Sequence, residues 1–197
     1  DVNQMAKICE FLKRKDISFD LQRYGIDALG AMAQGLFCTL LVGTILNTIG
    51  QQFHIGFLNA TIVTINGVDY TLGGLASLMV GPGIAIAIGA ALHAPALVLY
   101  SLIPVGFAAN SIGGSGGPLA VFFVAIIAAE LGKVVSKETK VDILVTPMVT
   151  ILVGIGLAAL IAKPIGTAAN SVGYAIMWAT EQHPFIMGIL VSVLVGI

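Results

Sequence analysis

The chain has 197 residues, of which 57% are hydrophobic and only 10% are charged, with a formal net charge of −1 and a mean hydropathy of +1.00. Because soluble domains carry roughly 25% charged residues, this composition excludes an ordinary soluble fold. We therefore predict an all-α, polytopic integral membrane protein with the lipid bilayer as its partner.

The first 27 residues form a charged segment that differs from the rest of the chain. Met5, Ile8 and Phe11 fall on one face of a predicted helix, and Lys7 lies largely on another. This pattern is typical of an amphipathic helix that lies at the cytoplasmic headgroups of a membrane. A contact helix for a cytosolic partner would show the same pattern, so both interpretations stay open.

The transmembrane domain is predicted to follow this segment, so that the chain divides into residues 1–27 and 28–197. Apolar stretches of about 20 residues are long enough to cross a bilayer. Six spans can be drawn, at residues 28–49, 72–92, 95–109, 118–131, 143–162 and 184–197. Two of them have only about 15 residues, which predicts broken or re-entrant helices around residues 93–118. The last run ends without a polar flank, so we expect the N-terminal part of a longer protein.

The placement of lysine and arginine predicts the orientation, because these residues favour the cytoplasmic side in short segments. They are concentrated in the N-terminal segment and in the loop near residues 133–140. Both should therefore be cytoplasmic, with four spans between them. Residues 50–71 contain no Lys or Arg and would lie outside.

A short phrase occurs three times: a glycine, and four residues later Asn, Ser or Thr, Ile or Val, and Gly. The copies are Gly43 to Gly50, Gly106 to Gly113 and Gly166 to Gly173. Their asparagines are 63 and 60 residues apart, which predicts a repeated unit, such as a helical hairpin, of the kind that builds transporters. On the predicted topology every copy ends an outward-going helix.

The phrase has two interpretations, which are compatible with each other. In the structural one, the last glycine caps a helix and the first lets neighbouring helices approach closely. In the functional one, Asn47, Asn110 and Asn170 converge on a polar cavity, where their amides bind the hydroxyl groups of a neutral solute.

Residues 110–118, with the sequence NSIGGSGGP, form the least regular stretch between apolar segments. No Gly-Lys-Ser/Thr follows the glycines, so a nucleotide site is not expected. A loop that lines a ligand site, with Asn110, Ser111 and Gly113 as candidates, and a tight external turn are both consistent with the sequence.

Three ionisable side chains complete the set of candidate binding residues. His93 stands before Ala94 and Pro95, at a predicted helix break with no other polar side chain nearby in the sequence. Glu181 and His183 directly precede Pro184, where they either cap a helix or mark a solute or proton path.

No catalytic constellation is visible, and we expect no cofactor and no metal ion. Cys9 and Cys38 are in neither a CxxC pattern nor a metal-ligand spacing. Glu130 and Lys133 are interpreted as an ordinary ion pair at helical spacing near a cytoplasmic helix end.

The opening FLKRKDISFDLQRYGIDALGAMAQGLFCTLLVGTILNTIGQQF resembles the EIIC-like membrane proteins related to the perfringolysin O regulator. The resemblance extends through Pro104–Pro118 to Gly188. It implies a bacterial inner-membrane, permease-like component of a phosphotransferase system, and a homodimer. It also implies cytosolic phosphotransferase partners, with the phosphoryl donor on another segment or protein.

Two functions follow from the resemblance and the residues together. The first is transport of a small polar solute, such as a sugar, through a site at broken helices. The alternative is a ligand-sensing membrane regulator without transport or phosphorylation. We expect no nucleic-acid partner.

Overall fold

The computed structural model describes residues 2–182 and 184–196, and nearly all of the regular structure in them is helical. A short amphipathic helix precedes a set of long apolar helices that pack side by side. The helices are α1 Val2–Arg14, α2 Gln22–Gln52, α3 Gly56–Asn59, α4 Leu72–Leu78, α5 Val80–Ala91, α6 Ala96–Gly113, α7 Gly117–Val135, α8 Asp142–Gln182 and α9 Pro184–Gly196.

Helix α2 is the first span and begins six residues before the predicted boundary at Ala28. Two stretches of it, Gln22–Asp27 and Phe37–Leu41, are π-helical, and the rest is α-helical. The early start places Arg23 inside the span, where a charge is costly unless it is paired. Its partners, described below, explain why the helix extends so far.

Helices α4 and α5 form one broken segment within the predicted span 72–92. They meet at Met79 and are bent by 52°. Pro82 lies in the first turn of α5, where its missing N–H costs no hydrogen bond. Gly83 packs against α2, because a Cβ on Gly83 would lie 2.6 Å from the Thr39 methyl group.

Helices α6 and α7 form an antiparallel hairpin. The chain reverses at a short 3-10 turn, Gly114–Gly116, in which Gly114 has a φ of 60° that favours glycine. At the other end of the hairpin, a Cβ on Gly132 would lie 2.7 Å from Val98. With 18 and 19 residues, the two helices are longer than the predicted 15-residue segments. Each is about 27 to 29 Å long, close to the thickness of a bilayer core.

Helix α8 corrects the prediction that every phrase ends a helix. It has 41 residues and continues through the third copy, which ends at Gly173, as far as Gln182. The second copy does end its helix at Gly113, and the first lies two residues before the end of α2. Because α8 continues past Gly173, the carbonyl groups of the third copy are bonded within the helix and need no capping partner.

A two-stranded hairpin in residues 50–71 was not predicted. Strands β1 Val63–Ile65 and β2 Val68–Tyr70 pair antiparallel, and Asn66 and Gly67 between them both have positive φ. Asn-Gly between two apolar runs is the usual signal of such a turn. The all-α prediction is therefore correct for the bundle and misses this small element.

The packed core lies between α2, α5, α6, α7 and α8. Its members are mostly alanine, valine and isoleucine, and many, including Ile84, Val105 and Ala125, have no exposed surface. Large apolar side chains are exposed on the outside of the same helices, for example Leu152 and Leu160 at 67% and 75%. Such a surface suits lipid rather than water.

Among the described residues, three stretches are long and apolar enough to cross a membrane: Gln22–Gln52, Ala96–Val135 and Asp142–Trp178. The bent pair Leu72–Leu78 and Val80–Ala91 makes a fourth if it counts as one span. The chain is thus a helical membrane protein. The predicted number of six spans is not reached in these residues, in part because α6, the turn and α7 form one continuous apolar stretch and α9 has only 13 residues.

Candidate functional site

The first copy of the phrase forms a close crossing between α2 and α4. A Cβ on Gly43 would overlap the Gly73 carbonyl oxygen, so the two helices touch through their backbones. One turn later, the Asn47 side-chain oxygen accepts a hydrogen bond of 2.7 Å from the Thr71 hydroxyl. Thr71 in turn caps α4 by accepting from the Gly74 N–H.

The second copy makes the same kind of crossing with two neighbours. Gly106 on α6 packs against Gly81 on α5, where a Cβ on either residue would overlap the other's carbonyl group. The Asn110 side chain lies against Gly81 on one side and Gly117, at the start of α7, on the other.

The third copy meets the second at the turn of the hairpin. Gly166 on α8 packs against the backbone of Gly113, and a Cβ on Gly166 would lie 2.9 Å from the Gly113 carbonyl carbon. One turn later, the Asn170 side-chain oxygen accepts a 2.6 Å hydrogen bond from the Ser115 hydroxyl. We call residues 113–117, with the helices packed on them, the glycine turn.

The three copies therefore share one packing pattern: a backbone contact at the first glycine and an amide contact one turn later. Asn110 and Asn170 both lie at the glycine turn, whereas Asn47 lies at Thr71, at the start of a different helix. The closing Gly173 has no neighbour within 4 Å of an added Cβ. The geometry thus supports the packing interpretation of the phrase directly.

The glycine turn also gathers polar groups that a solute could contact. Ser115 and Asn170 are exposed, and Asn110 is half-buried. Amides and hydroxyls both donate and accept hydrogen bonds, which suits a neutral, hydroxylated ligand. Ser111 is exposed, but its hydroxyl bonds to the Phe107 carbonyl on its own helix.

The other candidates lie away from this turn. Glu181 is exposed, one residue before the end of α8. His183 falls outside the residues that the structure describes. His93 lies at the opposite end of the hairpin, in the turn between α5 and α6, with a φ of 56°. The helix break predicted there is confirmed, since α5 ends at Ala91 and α6 begins at Ala96.

A network of charges surrounds His93, and we call it the charged end of the bundle. It comprises Asp16, Arg23, the turn at residues 92–95 and residues 130–138. The Arg23 guanidinium donates to both oxygens of the Asp16 carboxylate, at 2.8 and 3.3 Å, and to the Leu92 carbonyl at 3.3 Å. It also donates to the Asp16 carbonyl at 2.9 Å.

Lys133 is the most buried charged side chain in the described residues, with 1% of its surface exposed. Its ammonium donates to the Asp16 and Leu92 carbonyls, each at 2.8 Å, and to the Glu130 carboxylate at 3.2 Å. The predicted ion pair with Glu130 is confirmed. These partners lie in the N-terminal segment, in the turn after α5 and on α7, so Lys133 joins three parts of the chain. All three N–H donors of its ammonium are used.

Two further ion pairs attach the N-terminal segment to the loop after α7. The Lys15 ammonium bonds to the Ser136 carbonyl and lies 2.6 Å from the Glu138 carboxylate. Arg14 bonds to the same carboxylate at 3.0 Å. The hydrogen bond from Lys15 lowers the pKa of Glu138 below its ordinary value.

Asp16 is the centre of this network. The hydrogen bond from Arg23 is the main cause that lowers the pKa of Asp16 to about 2, although partial desolvation opposes it. His93 contributes in the same direction, since its Nδ1 lies 2.9 Å from the carboxylate. Asp16 has a φ of 55°, which Asp and Asn tolerate better than most residues.

His93, which has no polar side chain near it in the sequence, therefore has polar neighbours in the fold. Its partners Asp16 and Arg23 are 77 and 70 residues away in the sequence, so no local pattern could reveal them. One signal was available: the predicted topology placed both charged stretches on the same side of the membrane. Lys133, Arg23 and Asp16 were not recognised as members of a site.

In the described part of the chain, no group of three or more His, Cys, Asp or Glu side chains is arranged to hold a metal ion. The polar groups at both ends are suited to organic ligands and to ion pairing.

The family model for the phosphotransferase system EIIC component matches residues 26–197, which include most of α2 and every later helix. No curated protein and no solved structure matches significantly.

Proposed function

The chain belongs to the phosphotransferase system EIIC family, and we propose that it is the membrane component that conducts a small polar solute, in particular a sugar. The observation that carries this proposal is the family match, which extends over 172 residues and includes both the broken helix and the hairpin. Fold-level membership is a general guide to function, so the site itself must supply the specificity.

We place the solute at the glycine turn. Asn110, Ser115 and Asn170 there offer amide and hydroxyl groups at the tip of a hairpin between apolar helices. The bond from the Ser115 hydroxyl occupies only the Asn170 side-chain oxygen, so the Asn170 amide NH2 group and the Ser115 oxygen remain for a hydroxylated solute. Asn47 and His93 bond to Thr71 and Asp16, away from the glycine turn. We give them and Glu181 only a secondary part in solute binding.

The proposed setting is the bacterial cytoplasmic membrane, with the charged end and the N-terminus in the cytoplasm. The positive-inside rule supports this orientation, because five of the nine Lys and Arg residues precede residue 28. In this arrangement the cytosolic phosphotransferase components that supply the phosphoryl group would approach the charged end. A homodimer is part of the same proposal.

Native cysteines test the orientation. Cys9 lies on the exposed α1 and Cys38 lies within α2. In a Cys38→Ser background, a membrane-impermeant maleimide should label Cys9 in inverted vesicles and leave it unlabelled in intact spheroplasts. Labelling from outside would refute the proposed orientation.

Transport is tested in proteoliposomes that contain the purified protein and phosphotransferase donor proteins. Labelled sugars should accumulate, and Asn170→Ala and Ser115→Ala should each reduce uptake by about tenfold or more. Asn3→Ala, in the exposed α1, is the matched control and should transport normally. Equal uptake in all three variants would remove the glycine turn from the solute path.

The alternative function is sensing, and the structure offers one observation in its favour. The N-terminal segment is attached to the bundle by Lys15, Asp16 and Arg23, so a change in the bundle would be transmitted to α1. A sensor would bind the sugar without accumulating it, and deletion of residues 1–22 would abolish its output. Genes for phosphotransferase IIA and IIB partners in the same operon would favour transport.

A further inference from the structure

A cavity of about 520 Å³ opens at the charged end. It lies between the N-terminal segment, the turn at residues 93–95 and the loop that follows α7. Pockets for small ligands typically have volumes of roughly 300–1,000 Å³. The cavity is therefore large enough for a small metabolite, and it is separate from the glycine turn.

Cations outnumber carboxylates in its lining. Arg14, Lys15, Lys133 and Lys137 line it, against the carboxylates of Asp16 and Glu138. A concave site lined by one dominant sign of charge focuses the electrostatic potential and raises the local concentration of the opposite ion. The ligand that suits this lining is an anion.

Of these cations, Lys133 and Lys15 are structural, Arg14 is bound to the protein through one nitrogen, and Lys137 is free. The Arg14 Nη2 donates to the Glu138 carboxylate, and the other guanidinium N–H groups have no hydrogen-bond partner among the described residues. The Lys133 and Lys15 ammonium groups are engaged with carbonyl and carboxylate oxygens of the protein. Among the described residues, the Lys137 ammonium forms neither an ion pair nor a hydrogen bond, and only the backbone N–H of Lys137 is used, by Asp142. The free charge of Lys137 is thus available to a ligand.

His93 adds a group that can recognise a hydroxyl. Its Nδ1 lies 2.9 Å from an Asp16 oxygen, to which it can donate, and 3.1 Å from the Arg23 Nη2, from which it can accept, so the two contacts favour opposite tautomers. In either tautomer of the neutral ring, Nε2 has no partner within the described residues. A ligand hydroxyl can pair with Nε2 in both cases, because a hydroxyl donates as well as accepts.

We propose that this cavity binds a phosphate ester of a small alcohol, with the phosphoryl oxygens at Lys137 and Arg14 and a hydroxyl of the alcohol at His93. This rests on the proposed function, in which a phosphorylated sugar leaves on this side of the membrane. The same phosphoryl chemistry is presented by the headgroup of an anionic phospholipid, such as phosphatidylglycerol, whose glycerol also carries hydroxyls.

The first arm of the test uses the full protein, purified in a non-ionic detergent without anionic lipid, and titrates it with a hexose 6-phosphate by calorimetry. Lys137→Gln should weaken binding by about tenfold, since a hydrogen bond to a charged group is lost. Lys140→Gln is the matched control, because Lys140 is exposed on the same loop and does not line the cavity. Thermal midpoints confirm that both variants are folded.

His93→Gln distinguishes an ester from a bare anion. It should weaken the hexose phosphate several-fold and change inorganic phosphate little. Raising the salt concentration from about 0.05 to 0.5 M should weaken both ligands, because salt screens the interaction.

The second arm uses nanodiscs with neutral lipid alone or with phosphatidylglycerol. If the lipid headgroup is the ligand, phosphatidylglycerol will displace the hexose phosphate, and native mass spectrometry will show fewer retained phosphatidylglycerol molecules in Lys137→Gln than in Lys140→Gln. Failure of both arms, or equal losses in Lys137→Gln and Lys140→Gln, overturns the proposal. Ester binding that depends on Lys137 in a protein that takes up no sugar would overturn the transport proposal alone.

Discussion

The charged end and the glycine turn lie at opposite ends of the α6–α7 hairpin, and neighbouring helices are joined differently at each. At the charged end, long side chains such as Lys133 and Arg23 extend to carbonyl groups of other segments. At the glycine turn, the absence of a side chain at Gly166 lets its backbone touch that of Gly113.

This difference determines which substitutions each end of the hairpin tolerates. A buried ammonium with three partners has a large desolvation cost that only those partners offset, so the loss of charge there is severe. A glycine contact carries no charge, and it fails when any volume is added. The first kind of contact should respond to acid and salt, and the second only to size.

The largest effect is expected from Lys133→Met, which keeps the length of the side chain and removes its charge. The Glu130 carboxylate would then lose its ion-pair partner, and its other oxygen, Oε2, already has no hydrogen-bond partner. Loss of one member of a buried pair costs about 3–5 kcal/mol. The thermal midpoint of the purified protein should therefore fall by about 10 °C.

Two controls accompany this measurement. Lys140→Met, at an exposed position on the following loop, should leave the midpoint unchanged. The double variant Glu130→Gln with Lys133→Met should recover part of the loss, since neither charge remains. If Lys133→Met is as stable as the wild type, the buried network does not hold this end together.

A smaller effect is expected at the glycine turn, from Gly166→Ala. The added Cβ would lie 2.9 Å from the Gly113 carbonyl carbon, so the backbones must separate. Overpacking of this kind costs about 1–3 kcal/mol, which a denaturant or thermal titration in detergent will measure.

Gly173→Ala is the matched control on the same helix. Nothing lies within 4 Å of its added Cβ, and alanine favours a helix over glycine by up to about 1 kcal/mol. It should leave α8 as stable as before or slightly more so. Equal destabilisation by the two variants would contradict the packing interpretation of the phrase.

The sequence predicted the parts of this arrangement that depend on local pattern. Apolar composition predicted the helical membrane fold, and Pro95 marked the break between α5 and α6. The phrase marked the three glycine crossings, although its third copy does not end a helix. Asn66-Gly67 would have predicted the β-hairpin if its turn chemistry had been considered.

The charged end could not be predicted in the same way. His93 and Asp16 are brought together by the fold over 77 residues, and burial of Lys133 depends on carbonyl groups that every sequence has. Which carbonyl becomes a partner is decided by the path of the backbone. The helical spacing of Glu130 and Lys133 predicted their ion pair and gave no sign that it would be buried.

The smallest expected effect is a change of stability with pH, which should occur at the charged end and not at the glycine turn. Asp16 has a lowered pKa of about 2 in the folded protein, against an ordinary value of 3.8. A carboxylate with a lowered pKa stabilises the fold above its ordinary pKa, and this contribution is lost as the pH falls toward the folded value. Because the side chain is 56% exposed, the contribution is about 1 kcal/mol or less.

Asp16→Asn isolates this contribution, because Asn keeps the backbone carbonyl that Arg23 and Lys133 share and tolerates the φ of 55°. The wild type should be more stable than the variant at pH 7, and the difference should shrink below about pH 4 and approach zero near pH 2. Asp27→Asn, at an exposed position without a hydrogen bond or ion pair in the described residues, should match the wild type at pH 7. A difference that persists to pH 2 would show that the carboxylate charge is not what joins Asp16 to Arg23. The cost of Gly166→Ala should stay the same across this pH range, since no charge takes part in that contact.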